Sequence, residues 1–248
     1  MMAQSATELE RFSLARYEQA MAVVAHELRT PLNAISMAAQ RMELAADPAS
    51  TKVGEFLSRS ARTMSRLVED LLLYSKLEAD RFSIHAVTVD VREVVREACE
   101  VLQALARRRG VDIAASIPDT AVSCVCDHDR ILQALGNLVS NAIRFTPKGG
   151  LVRVELEPQA ERCVFRVADT GPGISADHIE HIFRPFWQAP GATQGAGLGL
   201  AIARGIVEAH GGEIAAEHSA RPGAVFTFWL PNEGSPKASA SLPAAAPP

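Results

Sequence analysis

The chain has 248 residues, with 25 Lys and Arg against 29 Asp and Glu, 48% hydrophobic residues and a net charge of −4 at pH 7. This ordinary globular composition excludes disorder throughout, and the length is enough for one large domain or two smaller ones. The negative net charge excludes the strongly basic surface that is expected of a nucleic-acid-binding protein.

The cysteines and the apolar stretches indicate a reducing compartment. The four cysteines include no CxxC pair and have no histidines at zinc-ligand spacing, so we expect neither a disulfide framework nor a structural metal. The longest uncharged stretch, Pro185 to Ala203, contains prolines, glycines and glutamines, so we predict no membrane span in this chain. The first residues lack the apolar core of a signal peptide. These features predict a cytoplasmic protein.

Residues 1–80 are predicted to form an antiparallel helical hairpin. From Leu14 to Ala45 the apolar positions alternate spacings of three and four, as in a coiled-coil seam. A break follows at Asp47 and Pro48, which suit the start of a new helix, and a second seam continues to Tyr74. Because one hairpin cannot cover both seams, we expect two copies to pair into a four-helix bundle, and hence a homodimer.

Residues 81–233 are predicted to mix strands and helices. A short strand around Ile84 to Val89 precedes a helix that is capped by Asp90 and ends at Gly110. The other predicted strands are 111–117, 122–126, 151–157, 163–169, 213–217 and 224–230, and the other helices are 129–145 and 199–210. This order predicts a two-layer α/β sandwich, so the fold class of the whole chain is α+β. The tail, 234–248, is rich in Ala, Ser and Pro and is predicted to be disordered.

His26 is a candidate reactive residue on the first predicted helix. With Met21 and Val24 in the seam, His26 falls on the face farthest from the partner helices and is expected to face solvent. Glu27 follows it, and Thr30 lies one helical turn further on. Proline inside a helix removes a backbone hydrogen bond, so the next residue, Pro31, indicates a site that bends. On these residues alone, a surface histidine beside a tolerated kink is the alternative.

A polar stripe follows the predicted helix 129–145. Gln133, Asn137 and Asn141 recur every four residues beside an apolar face. Their amide oxygens could complete the coordination shell of a Mg²⁺ ion together with phosphates and water, although a solvated stripe has the same spacing. The chain contains no GxxxxGK[ST] motif, so a bound nucleotide would be held without a P-loop.

Two glycine-rich segments are candidates for contact with a nucleotide. Asp169 ends a strand and is followed by Gly171 and Gly173, which would let the backbone approach a flat ligand while the carboxylate accepts a hydrogen bond from an amino group. The segment 195–199 precedes a helix whose first amides suit an anion. Between them, Phe183 belongs to an aromatic cluster. A turn without ligand, a plain loop-to-helix junction and a surface cluster are the respective alternatives.

In this order the motifs resemble those of the two-component sensor histidine kinases. The resemblance covers roughly Met21 to Leu230. Its segments are HELRTPLNAI from His26, similar to the H-box; NLVSNAIRFTP from Asn137, similar to the N-box; DTGPG from Asp169, similar to the first glycine box; IFRPFWQ from Ile182, similar to the F-box; and GAGLGL from Gly195, similar to the second glycine box.

The resemblance implies a fold, an activity and partners. The fold is a dimerisation and phosphotransfer hairpin followed by the sandwich that the gyrase, chaperone and mismatch-repair ATPases share. The activity is ATP-dependent autophosphorylation of His26, with phosphoryl transfer to an aspartate of a response regulator and reverse phosphatase activity. It further implies that Glu27 orients the ring or accepts its other proton, and that Thr30 positions water for dephosphorylation.

For the nucleotide, the resemblance implies ATP and Mg²⁺ as cofactors. Asn137 is then a Mg²⁺ ligand, Asn141 lies near the phosphates, Arg144 occupies the usual lysine position, and Asp169 reads the adenine amine. The glycine boxes and the hinge of the ATP lid contribute Gly171, Gly173, Phe183, Gly195, Gly197, Leu198 and Gly199. Three departures from the family are the absence of Lys and Arg from 188–195, Arg184 in place of glutamate and Ala25 in place of serine.

Two other functions fit the same motifs. One is a phosphatase-dominant protein that uses Thr30 and a water molecule to dephosphorylate its regulator. The other is a non-catalytic dimeric scaffold in which a nucleotide is only a structural ligand. About 20 residues precede the H-box, which is too few for an independent sensor, so we expect the signal to come through a partner or from a region outside this chain.

Overall fold

The computed structural model describes residue 28 and residues 32–44, 47–79, 81–189, 197–217 and 223–232. The chain divides into two compact units, Met1–Phe82 and Ser83–Pro248. The assignment of 1–80, 81–233 and 234–248 to separate domains stays a prediction, and the predicted disordered tail lies outside the described residues. None of the described helices is both long enough and apolar enough to cross a bilayer.

The described residues of the first unit form two helices. Helix α1 is described over residues 32–43, and α2 is Pro48–Glu78. The predicted break between them is confirmed, because the carboxylate of Asp47 accepts hydrogen bonds from the backbone N–H groups of Ala49, at 3.3 Å, and Ser50, at 3.0 Å. Pro48 occupies the first helical position, where a backbone N–H would have no partner within the helix. The missing N–H of proline therefore costs no hydrogen bond there.

The two helices approach closely next to their connection. A Cβ atom added at Gly54 of α2 would lie 2.7 Å from the carbonyl oxygen of Ala39 and 2.7 Å from the backbone nitrogen of Glu43, both in α1. Apolar packing continues along the unit in a buried cluster of Leu32, Ala61 and Val68. Large apolar side chains nevertheless remain exposed along the hairpin: Ile35, Met37, Leu44, Val53, Phe56, Met64 and Leu67.

Replacing Gly54 by alanine is expected to lower the stability of the hairpin by about 1–3 kcal/mol, because the added methyl group must push the two backbones apart. Gly136→Ala is the matched control in the helix His128–Phe145 of the second unit, where an added Cβ meets no atom within 4 Å. Because alanine has a higher helix propensity than glycine, Gly136→Ala should raise the free energy of unfolding by about 1 kcal/mol. Urea unfolding followed by circular dichroism measures both changes. An unchanged midpoint for Gly54→Ala would contradict the close approach.

The second unit contains seven strands and four helices in the part that the structure describes. The strands are β1 (Val87–Asp90), β2 (Asp112–Ser116), β3 (Ser123–Cys126), β4 (Leu151–Pro158), β5 (Arg162–Asp169), β6 (Glu213–Glu217) and β7 (Val225–Pro231). The helices are α3 (Val91–Arg109), α4 (His128–Phe145), α5 (Ala176–Ile179) and α6 (Gly199–Ala209).

The strands form a five-stranded sheet with the order β2-β4-β5-β7-β6 and a separate two-stranded sheet of β1 and β3. In the larger sheet β2 runs parallel to β4, and the other neighbours are antiparallel. One face of this sheet contributes Phe165 and Phe228, whose rings stack at 4.5 Å, to the core. Helices α3, α4 and α6 form the second layer. The predicted α+β fold, a helical hairpin followed by a two-layer α/β sandwich, is confirmed.

The predicted element limits differ from the observed ones where local signals are weak. The first strand is Val87–Asp90 rather than 84–89, and α4 begins at His128, one residue before the predicted start. The residue that caps α4 is Asp127, whose carboxylate accepts a hydrogen bond from the N–H of Arg130 at 3.2 Å. Helix α5 was not predicted, because four residues are too few to show a helical period.

Candidate functional site

Asn137 joins the start of α6 to the middle of α4. Its Nδ2 atom donates a hydrogen bond to the carbonyl oxygen of Gly199 at 3.1 Å, and the side chain is half-buried. A Cβ atom at Gly199 would lie 3.6 Å from the Cγ of Asn137, so the two residues are in contact. Because the amide donates through Nδ2, its oxygen is the atom that could serve a cation.

Asn141 and Arg144 lie on the same face of α4 as Asn137, one and two turns further along. Both side chains are half-buried. The guanidinium carbon of Arg144 lies 4.5 Å from the centroid of the Phe145 ring. Burial, followed by the positive charge of Arg109, lowers the pKa of Arg144. A guanidinium stays charged at neutral pH, so this end of α4 carries positive potential that suits a phosphate.

Asp169 is held rigidly at the end of β5. The residue is only 8% exposed, and its Oδ1 atom accepts hydrogen bonds from the backbone N–H groups of Gly171, at 2.7 Å, and Ala224, at 3.2 Å. Burial raises the pKa of this carboxyl group, while the two hydrogen bonds oppose the rise. One carboxylate oxygen is therefore used to fix the loop, and the other is the acceptor that a ligand amine can use.

The glycines around Asp169 leave no room for side chains. A Cβ at Gly171 would lie 2.8 Å from Oδ1 of Asp169 and 2.9 Å from the carbonyl oxygen of Phe145. Gly173 has a φ of 81°, and a Cβ there would lie 2.9 Å from the carbonyl oxygen of Gly223. Gly223 in turn packs directly on the carbonyl of Asp169. Gly223 and Ala224 were not among the predicted site residues, although Pro222-Gly223 is a turn signal in the sequence.

The second glycine-rich segment contacts the aromatic segment before it. Gly197 has a φ of 73°, and a Cβ there would lie 2.5 Å from the carbonyl oxygen of Trp187. Leu198 is 2% exposed, and its carbonyl accepts the N–H of Ile202 at 2.8 Å to begin α6. Phe183 is half-buried and meets the ring of Phe226 edge-on at 6.4 Å. These contacts fix the start of α6 beside Asn137.

Among the predicted site residues, the structure joins Asn137 to Gly199 and Asp169 to Gly171, each by a hydrogen bond. Four predicted site residues lie outside the described residues: His26, Glu27, Thr30 and Gly195. The predicted exposure of His26 and its place on the helix surface therefore stay predictions. Leu28, two residues further on, is helical and exposed.

Two family descriptions match the two units. Residues 16–80 match the His Kinase A (phospho-acceptor) domain, and residues 126–234 match the histidine kinase-, DNA gyrase B- and HSP90-like ATPase. A phospho-acceptor hairpin followed by an ATPase-type sandwich is the architecture of a histidine kinase catalytic core. The chain belongs to the two-component sensor histidine kinases.

Similar proteins carry the same architecture within longer chains. The chain is 36% identical over 218 residues to the histidine protein kinase DivJ of Caulobacter vibrioides, covering 85% of this chain and 36% of that protein. It is 32% identical over 225 residues to the adaptive-response sensory kinase SasA of Synechocystis, covering 86% of this chain and 59% of that protein. The chain therefore spans less than two thirds of the length of each of these relatives.

Solved structures of kinases are also similar. Full-length ShkA in complex with AMPPNP has a TM-score of 0.76 and 30% identity, with 89% of this chain and 47% of that one covered. The catalytic domain of histidine kinase ThkA has a TM-score of 0.55 and 32% identity, with 60% of this chain and 96% of that one covered. ThkA in complex with the response regulator protein TrrA has a TM-score of 0.63 and 28% identity, covering 92% and 66%.

Proposed function

We propose that this chain is an ATP-dependent protein-histidine kinase that phosphorylates its own His26 and passes the phosphoryl group to an aspartate of a response regulator. The observation that carries the proposal is the placement of α6 against Asn137, with the buried carboxylate of Asp169 at the end of the neighbouring sheet. The match of the preceding residues to a phospho-acceptor domain supports the same function.

His26 is proposed as the nucleophile because of the chemistry of imidazole. A histidine with an ordinary pKa near 6.5 is mostly neutral at pH 7, and its free nitrogen can attack phosphorus without prior loss of a proton. Glu27 is proposed to orient the ring or accept its other proton. Thr30 is proposed to position water for the reverse, phosphatase reaction.

The second unit is proposed to bind the nucleotide. The Oδ2 oxygen of Asp169 suits the amino group of adenine, and the crowded glycines beside it would let a flat base lie against the backbone. Asn141, Arg144 and the first amides of α6 would hold the phosphates. Leu198 and Phe183 pack the loops on either side of the predicted lid. Because ATP is the donor, we place the reaction in the cytoplasm.

The residues also fit a Mg²⁺ ion. The oxygen of Asn137 is a hard, neutral donor, and its orientation is fixed by the bond from Nδ2 to Gly199. When bound, the ion would neutralise phosphate charge during transfer. The chain's own contribution is to hold Asn137 in place and to present positive charge from Arg144 at the end of α4.

A homodimer is proposed from the first unit. Its exposed apolar residues include Phe56, Met64 and Leu67 of α2, which remain exposed within the described part of the hairpin. Pairing two hairpins into a four-helix bundle would remove these side chains from water at about 25 cal/mol for each Å² buried. A response regulator is proposed as the second partner, in keeping with the solved complex of ThkA with TrrA.

The test of the proposed function is incubation of the full chain with γ-labelled ATP and Mg²⁺. A phosphohistidine is labile in acid and stable in alkali, so label with these properties is expected on the chain. Addition of a receiver domain should then move the label to that domain. Nucleotide binding without any such label would instead favour the non-catalytic scaffold.

Asn137→Ala is expected to weaken the Mg²⁺-dependent binding of ATP by at least about tenfold, because it removes a ligand oxygen and the bond to Gly199. The measurement is the dissociation constant with Mg²⁺ and with EDTA. Gln133→Ala is the control: Gln133 belongs to the same polar stripe one turn earlier, but its side-chain oxygen already accepts a hydrogen bond from Arg130 at 3.2 Å. If Mg²⁺ increased the affinity for ATP equally in wild type, Asn137→Ala and Gln133→Ala, this result would count against a ligand role for Asn137.

A further inference from the structure

His210 makes two hydrogen bonds through its ring at the end of α6. The residue is 8% exposed, its Nε2 atom lies 3.0 Å from the backbone nitrogen of Asp127, and its Nδ1 atom lies 2.7 Å from the carbonyl oxygen of Ile206. A backbone N–H can only donate, so Nε2 must be the acceptor, and a carbonyl can only accept, so Nδ1 must carry the proton. The ring is therefore the neutral Nδ1–H tautomer.

The ring's other partner, Asp127, is the N-cap residue of α4. Its Oδ1 atom accepts the backbone N–H of Arg130 at 3.2 Å, which caps the helix, and its Oδ2 atom accepts the backbone N–H of His85 at 2.8 Å. These two hydrogen bonds of its side chain hold Asp127 in place at the start of α4. The bond from Asp127 to His210 ties the last turn of α6 to the first turn of α4.

A second polar tie joins the same two helices at the nucleotide end. The Nδ2 atom of Asn137 donates to the carbonyl oxygen of Gly199, at the first turn of α6. Helix α6 has 11 residues, so the two ties lie about 16 Å apart along it. The surface between them is apolar, with Ile202 and Ile206 fully buried. Apolar packing is not directional, so the two hydrogen bonds set the position and rotation of α6.

We propose that His210 is a positioning residue for the nucleotide site, which holds Gly197 to Gly199 at the correct distance from Asn137 by anchoring the far end of α6. This inference rests on the proposed function. His210 does not touch the nucleotide, and its effect passes through the helix. The ring is suited to this role because Nε2 accepts the backbone N–H of Asp127 while Nδ1 donates to the carbonyl of Ile206, which also accepts the backbone N–H of His210 at 3.3 Å.

We expect acidification to break the hydrogen bond between Asp127 and His210. Protonation of Nε2 would place two donors, the ring N–H and the N–H of Asp127, against each other. Burial lowers the pKa of His210 below its ordinary value of 6.5, while the Ile206 carbonyl and the Asp127 carboxylate oppose the shift. The charged groups on the neighbouring elements include the capping residue Asp127, Arg130 of α4, Arg204 and Glu208 of α6, and Glu213 and Glu217 of β6. Of these, the Asp127 carboxylate is the one that raises the pKa of His210.

The sign of the pH dependence follows from the lowered pKa. As the pH falls through 6.5 the unfolded chain takes up a proton at this histidine, whereas the folded chain resists until a lower pH. The free energy of unfolding therefore decreases between pH 6.5 and the folded-state pKa. Folded molecules that do take up the proton lose the bond to Asp127, and we expect their affinity for nucleotide to fall as well.

The experiment compares wild type, His210→Ala, His210→Gln and a control, His85→Gln, as full chains. The glutamine at 210 can accept from Asp127 and donate to Ile206 but does not titrate. His85 is the matched control because its side chain is exposed and only its backbone N–H bonds to Asp127. The measured quantity is the dissociation constant for AMPPNP between about pH 5.5 and pH 7.5.

At the upper pH, His210→Ala is expected to bind about three- to tenfold more weakly than wild type, and His210→Gln about as tightly as wild type. On acidification, wild type and His85→Gln should lose affinity together, and His210→Gln should lose less. A folded His210→Ala that binds like wild type would overturn the inference.

If His210→Ala fails to fold, His210→Gln tests the positioning role of His210. A pH profile for His210→Gln that runs parallel to that of wild type would overturn the positioning role. Failure of the wild-type chain to bind nucleotide at any pH is a different result, since it would overturn the proposed function and this inference with it.

Discussion

Replacing His26 by glutamine is expected to abolish labelling of the chain from γ-labelled ATP, a loss of at least about 100-fold, while leaving the dissociation constant for ATP unchanged. Glutamine resembles histidine in size and polarity but has no nitrogen that can attack phosphorus. The nucleotide is proposed to bind in the second unit, which the substitution does not touch. The measurements are acid-labile label on the protein and nucleotide affinity.

The exposed His85 provides the control for this variant, because His85→Gln is the same chemical change in the other unit. The control should retain full labelling. Label of the same acid lability that persisted in His26→Gln would show that another residue is the acceptor, and the assignment of the H-box histidine would be wrong.

Replacing Asp169 by asparagine is expected to weaken ATP binding about 100-fold while leaving the fold intact. The asparagine oxygen can still accept the N–H groups of Gly171 and Ala224, so the loop should keep its shape. Its amino group, however, presents a donor to the amino group of adenine in place of an acceptor. When two buried donors face each other, the loss of binding free energy is much larger than the loss of one hydrogen bond, because both groups are left without an acceptor.

Inosine triphosphate separates this effect from general damage. Its base carries a carbonyl oxygen where adenine carries the amino group, so Asp169→Asn should bind it better than ATP, which reverses the expected wild-type preference. Asp169→Ala is a useful contrast, because it leaves two buried N–H groups without their acceptor and should lower stability by about 1–3 kcal/mol. Equal ATP affinity in Asp169→Asn and wild type would exclude Asp169 as the reader of adenine.

The elements that local chemistry determines could be predicted from the sequence. Asp47 and Asp90 cap helices at the expected positions, and Gly110 ends α3 with a left-handed φ of 67°. Each of these residues acts on neighbours within a few positions, so its signal is present in the adjacent sequence. The strands of the large sheet were also predicted to within one or two residues. In β4, for example, burial alternates along the strand because successive side chains point to opposite faces of the sheet.

Contacts between distant residues could not be predicted in this way. The bond from Asp127 to His210 joins residues 83 positions apart, and the one from Ala224 to Asp169 spans 55. The pairing of β1 with β3 is likewise a tertiary contact, which no period in either segment encodes. The motifs therefore indicated which side chains belong to the nucleotide site, whereas the groups that hold those side chains in place became visible only in the structure.

The crowding around Asp169 has a consequence for inhibitors. Side chains added at Gly171, Gly173 or Gly223 would run into backbone atoms, which cannot swing aside as a flexible side chain can. A compound that competes through the carboxylate of Asp169 would thus meet a surface with few tolerable escape mutations.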